Sequence, residues 1–236
     1  MARPRLAVLI SGNGSNLQAL IDEAARLEAA FSVALVISNR ADAFGLVRAE
    51  RAGIPSRVIE HRGFPDRAAF DAALDAALRA AGVDLVCLAG FLRILTAGFI
   101  EGWRDRMVNI HPSLLPAFRG LHTHARALAA GARVHGCTVH LVRPELDEGP
   151  ILVQGVVPVL PSDTEERLAA RVLELEHRCY PAAVTLLLSG RCRVEGETLG
   201  VADERPGERL FLHPSLMEAG LMGGSPMGAS DARERS

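Results

Sequence analysis

The sequence predicts an α/β protein built on a doubly wound, mostly parallel sheet of Rossmann-like plan, with antiparallel strands added in its carboxyl-terminal half. Three observations carry this expectation. The first hundred residues alternate short apolar runs with amphipathic stretches, the pattern of βα units joined by right-handed crossovers. The first apolar run ends in a glycine turn, Ser11-Gly12-Asn13-Gly14-Ser15-Asn16, that leads into a helical pattern. Beyond residue 130 two strand-like runs flank an acidic turn, Glu145-Leu146-Asp147-Glu148-Gly149-Pro150, and are expected to pair antiparallel.

With 236 residues, 49% of them hydrophobic, the chain can bury a full core. No apolar run reaches the roughly 18 residues needed to span a bilayer, and Met1-Ala2-Arg3-Pro4 passes into a strand without a signal-peptide pattern, so a cytoplasmic protein is expected. The formal charge of −2 gives no electrostatic footprint for nucleic acid. All 26 basic residues are arginine, which rules out a phosphate-loop lysine and any Schiff-base mechanism. Cys87, Cys137, Cys179 and Cys192 lie far apart without a Cys-x-x-Cys pair, so neither zinc nor a dithiol centre is expected.

In chain order, Arg5 to Ile10 is the first strand and Leu17 to about Glu28 the first helix. Gly12 and Gly14 let the backbone turn tightly at the helix start, whose free N–H groups and dipole favour a phosphate, and Ser15 or Asn16 can cap it. The dinucleotide pattern Gly-x-Gly-x-x-Gly fails at its third glycine, so a single phosphate is expected. A strand at Val33 to Ser38, a helix at Phe44 to Ala52, a short strand at Arg57 to Ile59, a helix through Leu78 to Ala81 and a buried strand at Leu85 to Ala89 follow. The segment Gly90-Phe91-Leu92-Arg93-Ile94-Leu95 leaves that strand's end, either as a pocket wall for a flat heterocycle or as an apolar loop into the helix Thr96 to Trp103.

Met107 to His111 is the central strand. Val108 and Ile110 alternate with Asn109 and His111, so an amide and an imidazole project together, their Cα atoms about 7 Å apart. Pro112 ends the strand, which puts both groups at a carboxyl end, where open α/β sheets keep their ligand crevices. Asp147 supplies a carboxylate able to orient the imidazole. A short helix at Ala125 to Ala130, a strand at Cys137 to Val142 carrying Thr138 and His140 on one face, and a strand at Ile151 to Val159 come next. The long helix from Thr164 to about Ser189 is expected to be capped by Ser162 or Asp163 and kinked or divided by Pro181. Residues 1–190 are expected to form a single domain, 191–212 irregular strands or a hairpin, and 213–236 a mobile tail.

Taken together, Ile10-Ser11-Gly12-Asn13-Gly14-Ser15-Asn16-Leu17, Leu88-Ala89-Gly90-Phe91-Leu92-Arg93-Ile94-Leu95, Asn109-Ile110-His111-Pro112-Ser113-Leu114-Leu115-Pro116, Gly120-Leu121-His122-Thr123-His124 and Asp147-Glu148-Gly149-Pro150 resemble the phosphoribosylglycinamide formyltransferases of purine synthesis. The resemblance runs from Leu6 to about Gly190 and leaves the extension from His213 to Ser236 without a counterpart. The Asn-x-His-Pro-Ser-Leu-Leu-Pro block is shared with methionyl-tRNA formyltransferase and formyltetrahydrofolate hydrolase, while the glycine loop and Gly-Leu-His-Thr-His favour the purine enzymes.

The resemblance implies a formyltransferase fold and formyl transfer from 10-formyltetrahydrofolate, as co-substrate, to the glycinamide amine of a phosphoribosyl substrate, without metal. It implies Asn109, His111 and Asp147 as catalytic residues. Gly14, Ser15, Asn16 and Glu176 would bind the phosphoribosyl substrate, and Arg67, Phe91, Leu92, Arg93, Ile94, Leu95 and Asn109 the folate, with Thr138 and His140 in support. The first half, to about residue 105, would carry the phosphate site, and residues 106–190 the folate and catalytic residues. Small molecules are the expected partners, without nucleic acid or membrane, for a monomer or homodimer. The competing functions are a hydrolase that passes the formyl group to water and a catalytically silent folate- or phosphate-binding protein.

Overall fold

A computed structural model of the chain describes residues 2–218. Its elements are β1 (Arg5–Ile10), α1 (Ser15–Ala24), β2 (Ser32–Ser38), α2 (Phe44–Arg51), β3 (Ser56–Val58), a 3-10 turn at His61–Gly63, α3 (Arg67–Ala80), β4 (Leu85–Leu88), α4 (Ala97–Gly102) and β5 (Met107–His111). The second half adds α5 (Thr123–Ala129), β6 (Val134–Leu141), β7 (Ile151–Pro158), α6 (Glu165–Leu188), β8 (Cys192–Glu195), β9 (Thr198–Val201), β10 (Leu210–Leu212) and α7 (Pro214–Glu218).

Eight strands form one mixed sheet in the order β10-β7-β6-β5-β4-β1-β2-β3. From β3 across to β5 every pairing is parallel, and β6 then runs antiparallel to both β5 and β7. The chain winds outward from β1 to β3 and then crosses back to lay β4 against the other side of β1. That reversal opens a crevice outside the carboxyl ends of β1 and β4. Alternation along each strand divides the core between the two faces of the sheet. Leu6, Val8 and Ile10 of β1 join the cluster that contains Leu17 and Leu20 of α1 and Val172, Leu175 and Tyr180 of α6. Ala7 and Leu9 face the other way, into the cluster with Phe70 and Leu74 of α3 and Phe99 and Ile100 of α4.

Several local expectations need correction. The start of α1 has Gly14 as its cap residue with no side-chain cap, because Ser15 is already helical and the Asn16 amide is engaged elsewhere. The cap of α6 is Thr164, whose hydroxyl accepts from the Arg167 N–H at 3.3 Å. Asp163 is instead held in a two-pronged pair with Arg171 at 2.8 Å, which keeps its carboxyl below the usual range. Pro181 sits inside α6 without dividing it. Strands β8 and β9 form a separate antiparallel hairpin, whereas β10 adds to the main sheet parallel to β7. Of the segment expected as a tail, Pro214–Glu218 is a short helix and 219–236 lie outside the described residues.

Candidate active site

The carboxyl end of β5 presents Asn109 and His111, and the antiparallel register sets Asn109 opposite His140 and His111 opposite Thr138. His140 is 2% exposed. Its Nδ1 lies 2.9 Å from the Leu141 carbonyl and its Nε2 3.2 Å from the Asn109 amide nitrogen. The carbonyl can only accept, so Nδ1 carries the proton and Nε2 receives an N–H from Asn109. Burial, the largest effect on it, lowers the pKa of this ring and favours that neutral state. One amide hydrogen of Asn109 is thereby spent on orientation, and the other remains for a ligand.

His111 is also buried. Its Nε2 lies 3.0 Å from the Phe118 carbonyl and its Nδ1 3.4 Å from the Asp147 carboxylate. Both neighbours only accept, a pair that the doubly protonated ring satisfies at once. Asp147 takes a left-handed conformation, φ 51°, and its carboxylate also accepts from the Gly120 N–H at 2.7 Å. Aspartate tolerates that conformation better than most residues, and the adjoining Arg119–Glu148 ion pair fastens the two loops together. Any side chain at Gly149 would run into the Leu141 carbonyl, so the acidic turn lies tight against β6. Thr138, fully buried, donates to the Ser113 carbonyl at 2.7 Å and accepts from the Leu115 N–H at 3.0 Å, pinning the turn that follows His111.

A cavity of 180 Å³ beside this group is lined by Asn109, His140 and Asp147 together with Phe91, Arg93, Ile94 and Leu95. Phe91 and Leu95 are buried in the sheet's second core, while Ile94 is exposed. Leu92 does not join them: its side chain borders a neighbouring cavity, and its N–H donates to the Ser11 hydroxyl at 2.8 Å. Arg67, the first residue of α3, lines a small cavity that shares Arg93 and Ile94 with the first. Both halves of the chain therefore wall the cleft, Arg67, Phe91, Arg93, Ile94 and Leu95 from the first and Asn109, His140 and Asp147 from the second.

The glycine loop and α6 meet on the sheet's other face. The Asn16 side-chain amide donates to the Glu176 carboxylate at 2.6 Å, and the Asn16 side-chain oxygen, Oδ1, is buried without a partner among the described residues. Burial pushes the Glu176 carboxyl up, against the lowering effect of that hydrogen bond. Gly14 lies at φ 71°, and a Cβ there would stand 2.8 Å from the Gly45 Cα of α2. Ser15 lines an open cavity of 860 Å³ together with Gln18, Arg48 and His177; this cavity does not contain the Asn109 group.

Two contributors escaped sequence reasoning. Arg48 of α2 donates to the Asn13 carbonyl at 2.9 Å, the Asn13 side-chain oxygen at 3.0 Å and the Gln18 side chain at 3.3 Å. All three acceptors are neutral, its guanidinium lies 5.0 Å over the Phe44 ring, and among the described residues it reaches no carboxylate within ion-pair distance. The Tyr180 hydroxyl, buried under the sheet, lies 2.9 Å from the Leu88 carbonyl and 3.2 Å from that of Val108, tying α6 to the ends of β4 and β5. Nothing in the residue types or spacing around Arg48 or Tyr180 marks either. Among the described residues no cluster of three or more His, Cys, Asp or Glu side chains could hold a metal ion, and no helix is long and apolar enough to cross a membrane.

Residues 4–184 match the formyl transferase family. The chain is 46% identical over 189 residues to the phosphoribosylglycinamide formyltransferase of Escherichia coli, covering 80% of this chain and 89% of that one. It is 52% identical over 199 residues to the trifunctional purine biosynthetic protein adenosine-3 of Drosophila melanogaster. That match takes 83% of this chain, which spans only 15% of the fly protein's length. The crystal structure of glycinamide ribonucleotide transformylase 1 from Symbiobacterium toebii superposes with a TM-score of 0.83 at 49% identity, covering 85% of this chain and 95% of that one.

Proposed function

The chain belongs to the formyl transferase family, and from that membership we propose that it transfers the formyl group of 10-formyltetrahydrofolate to the glycinamide amine of 5'-phosphoribosylglycinamide, giving formylglycinamide ribonucleotide and tetrahydrofolate. The observation that carries this proposal is the gathering of Asn109, His111 and Asp147 at one strand end, with His140 fixing the amide and two acceptors flanking the imidazole.

The chemistry follows from those groups. The substrate amine attacks the formyl carbon, a C–N bond forms, and the carbonyl oxygen becomes an oxyanion. The free N–H of Asn109 donates to that oxygen, and a protonated His111, its two N–H groups held by the Phe118 carbonyl and Asp147, stabilises it through its positive charge alone. The attacking nitrogen must lose a proton and the departing folate nitrogen must gain one, so the reaction is neutral in protons. Asp147, accepting from His111 and open to the cleft, relays the proton, directly or through a water. Collapse of the intermediate breaks the bond to the folate nitrogen. Thr138 and His140 act as positioning residues.

For the substrates, Gly14, Ser15 and Asn16 present backbone N–H groups to the phosphate at the start of α1, with Arg48 supplying the compensating charge. Glu176, tied to Asn16, receives the glycinamide end. Phe91, Ile94 and Leu95 flank the folate ring beside Asn109, Leu92 contributes backbone, and Arg93 and Arg67 take the tail carboxylates. This machinery occupies one domain of about residues 1–190, acting on small molecules in the cytoplasm.

The test is consumption of 10-formyltetrahydrofolate by the purified protein with and without the phosphoribosyl amine. Consumption only when the amine is present is expected. Equal consumption without it, with formate released, would make the chain a hydrolase, and binding of both ligands without turnover would make it a silent binding protein.

A further inference from the structure

The connection from β6 to β7 does not turn at the end of the sheet. Val142 donates its N–H to the Met107 carbonyl at the start of β5, yet Asp147 stands 3.4 Å from His111 at the other end of that strand. Residues 143–147 therefore run back across the sheet's face, where they wall the cavity beside Asn109. The far end of this run is fastened by Asp147 to the Gly120 N–H and by Glu148 to Arg119. Between the two ends Pro144, Glu145 and Leu146 are exposed. Among the described residues the backbone of 144–149 makes one internal hydrogen bond, from the Glu148 N–H to the Glu145 carbonyl at a long 3.4 Å. A stretch with so few interactions of its own takes its course from its anchors.

The near anchor is Arg143, whose side chain is 3% exposed. It donates through Nε to Glu197 at 3.0 Å, through one terminal nitrogen to Asp105 at 2.8 Å and through the other to the Val142 carbonyl at 3.1 Å. Its stem fills the space beside Gly149, where a Cβ would stand 2.9 Å from the Arg143 Cγ. A guanidinium cannot shed its proton, so its burial here depends on the two carboxylates. Asp105 belongs to the turn before β5, and Glu197, which also meets Arg104 at 3.4 Å, to the loop that joins β8 to β9. That hairpin lies beyond the residues 4–184 that match the family. The run's own acids take no part in the anchor: Asp147 faces His111, Glu148 is held by Arg119, and Glu145 reaches no cation within ion-pair distance among the described residues.

We propose that Arg143 is a positioning residue for the formyl donor, and that the β8–β9 hairpin, through Glu197, is part of the donor site's support. Held between Glu197 and Asp105, Arg143 sets where residues 143–146 leave β6 and thereby places one wall of the cavity. Asp147 keeps its own fastening to Gly120, so the clamp bears on donor binding more than on the chemical step. The proposal rests on the folate assignment of this cavity and adds the segment that shapes it.

The experiment compares the parent with Glu197→Gln, Arg143→Met and Arg143→Lys by kcat, by KM for each substrate and by amide hydrogen exchange of the peptide spanning 142–149. Glu197→Gln alters only an exposed side chain. It should quicken exchange over 142–149 and raise KM for 10-formyltetrahydrofolate about two- to three-fold, the size of one exposed ion pair, with kcat and KM for the phosphoribosyl amine at the parent's values. Arg143→Met keeps an apolar stem and should raise the donor KM about five-fold or more. Arg143→Lys should fall between the two, because an ammonium cannot span both carboxylates as the guanidinium fork does. An unchanged donor KM in Glu197→Gln and Arg143→Met, or unaltered exchange over 142–149, would overturn the proposal. Equal rises in both KM values with faster exchange along the whole chain would also overturn it, by making Arg143 a support of the fold in general. Absence of transfer from 10-formyltetrahydrofolate in the parent would instead overturn the folate assignment itself.

Discussion

Asn109 serves an oxyanion only if its amide cannot turn over, and a neutral, buried His140 is what holds it. Replacing Asn109 by alanine removes one donor and leaves the strand's backbone pairing as it was. Turnover should then fall by roughly 10² to 10³, the usual cost of one oxyanion donor, with thermal stability close to the parent's. The measurement is steady-state kcat alongside a melting curve, and near-normal kcat would remove Asn109 from that role. At this scale the sequence discloses side chains better than their partners. Asn109 and His111 are legible because alternation about Val108 and Ile110 and the stop at Pro112 put both at a strand end. The Phe118 carbonyl that receives His111 is not, because a backbone oxygen seven residues away carries no residue-type signal. The path of that loop decides where it points.

Among the elements, the start of α1 differs most from its expected logic. Glycine at position 14 suggests a backbone approaching a phosphate, yet the nearest obstacle to a side chain there is α2, through Gly45, and the residue also needs a positive φ. Gly14→Ala meets both penalties. It should lower unfolding free energy by about 1–3 kcal/mol, the range for a strained left-handed residue together with a displaced neighbour. Because the loop moves, KM for the phosphoribosyl substrate should rise while KM for the folate stays near the parent's. Urea denaturation and the two KM values check this, and unchanged stability would show that the loop absorbs the methyl group without shifting α2. The cap of α6 differs from its expectation for a related reason. Ser162, Asp163 and Thr164 are all capable caps by type, and the choice fell to Thr164 once Arg171 captured Asp163. A partner 160 residues away, Glu176, decides the start of α1, and one eight residues on within the same helix, Arg171, decides that of α6.

Across the whole molecule, the alternation of apolar runs made the parallel half of the sheet legible. The three residues of β10 were not legible as part of it, because so short an edge strand depends on β7 being there to receive it. The molecule's acid response follows from something equally invisible in the sequence, the number of histidines it buries. Burial is the leading cause of the lowered pKa of His124, His135, His140 and His177. His135 is brought down to about 4; it lies 1% exposed between Phe118 and His124, with neither ring nitrogen hydrogen-bonded to the protein. A histidine whose pKa is depressed in the folded state binds its proton first in the unfolded chain. Its contribution is therefore intact above the unfolded value of 6.5 and is lost as the pH falls towards 4. Glu176, pushed up by burial, works the other way as the pH falls towards 4.5, and the paired Asp75 and Asp163 yield only below their ordinary value of 3.8. His135, from its value of about 4 against 6.5 unfolded, contributes about 2 kcal/mol of lost stability at pH 5. His135→Leu, similar in size and without a proton to bind, should unfold at pH 7 no more readily than the parent and should lose about 2 kcal/mol less on going from pH 7 to pH 5. Urea titrations of both proteins at the two pH values measure the difference, and equal losses would mean that His135 takes up its proton without unfolding the chain.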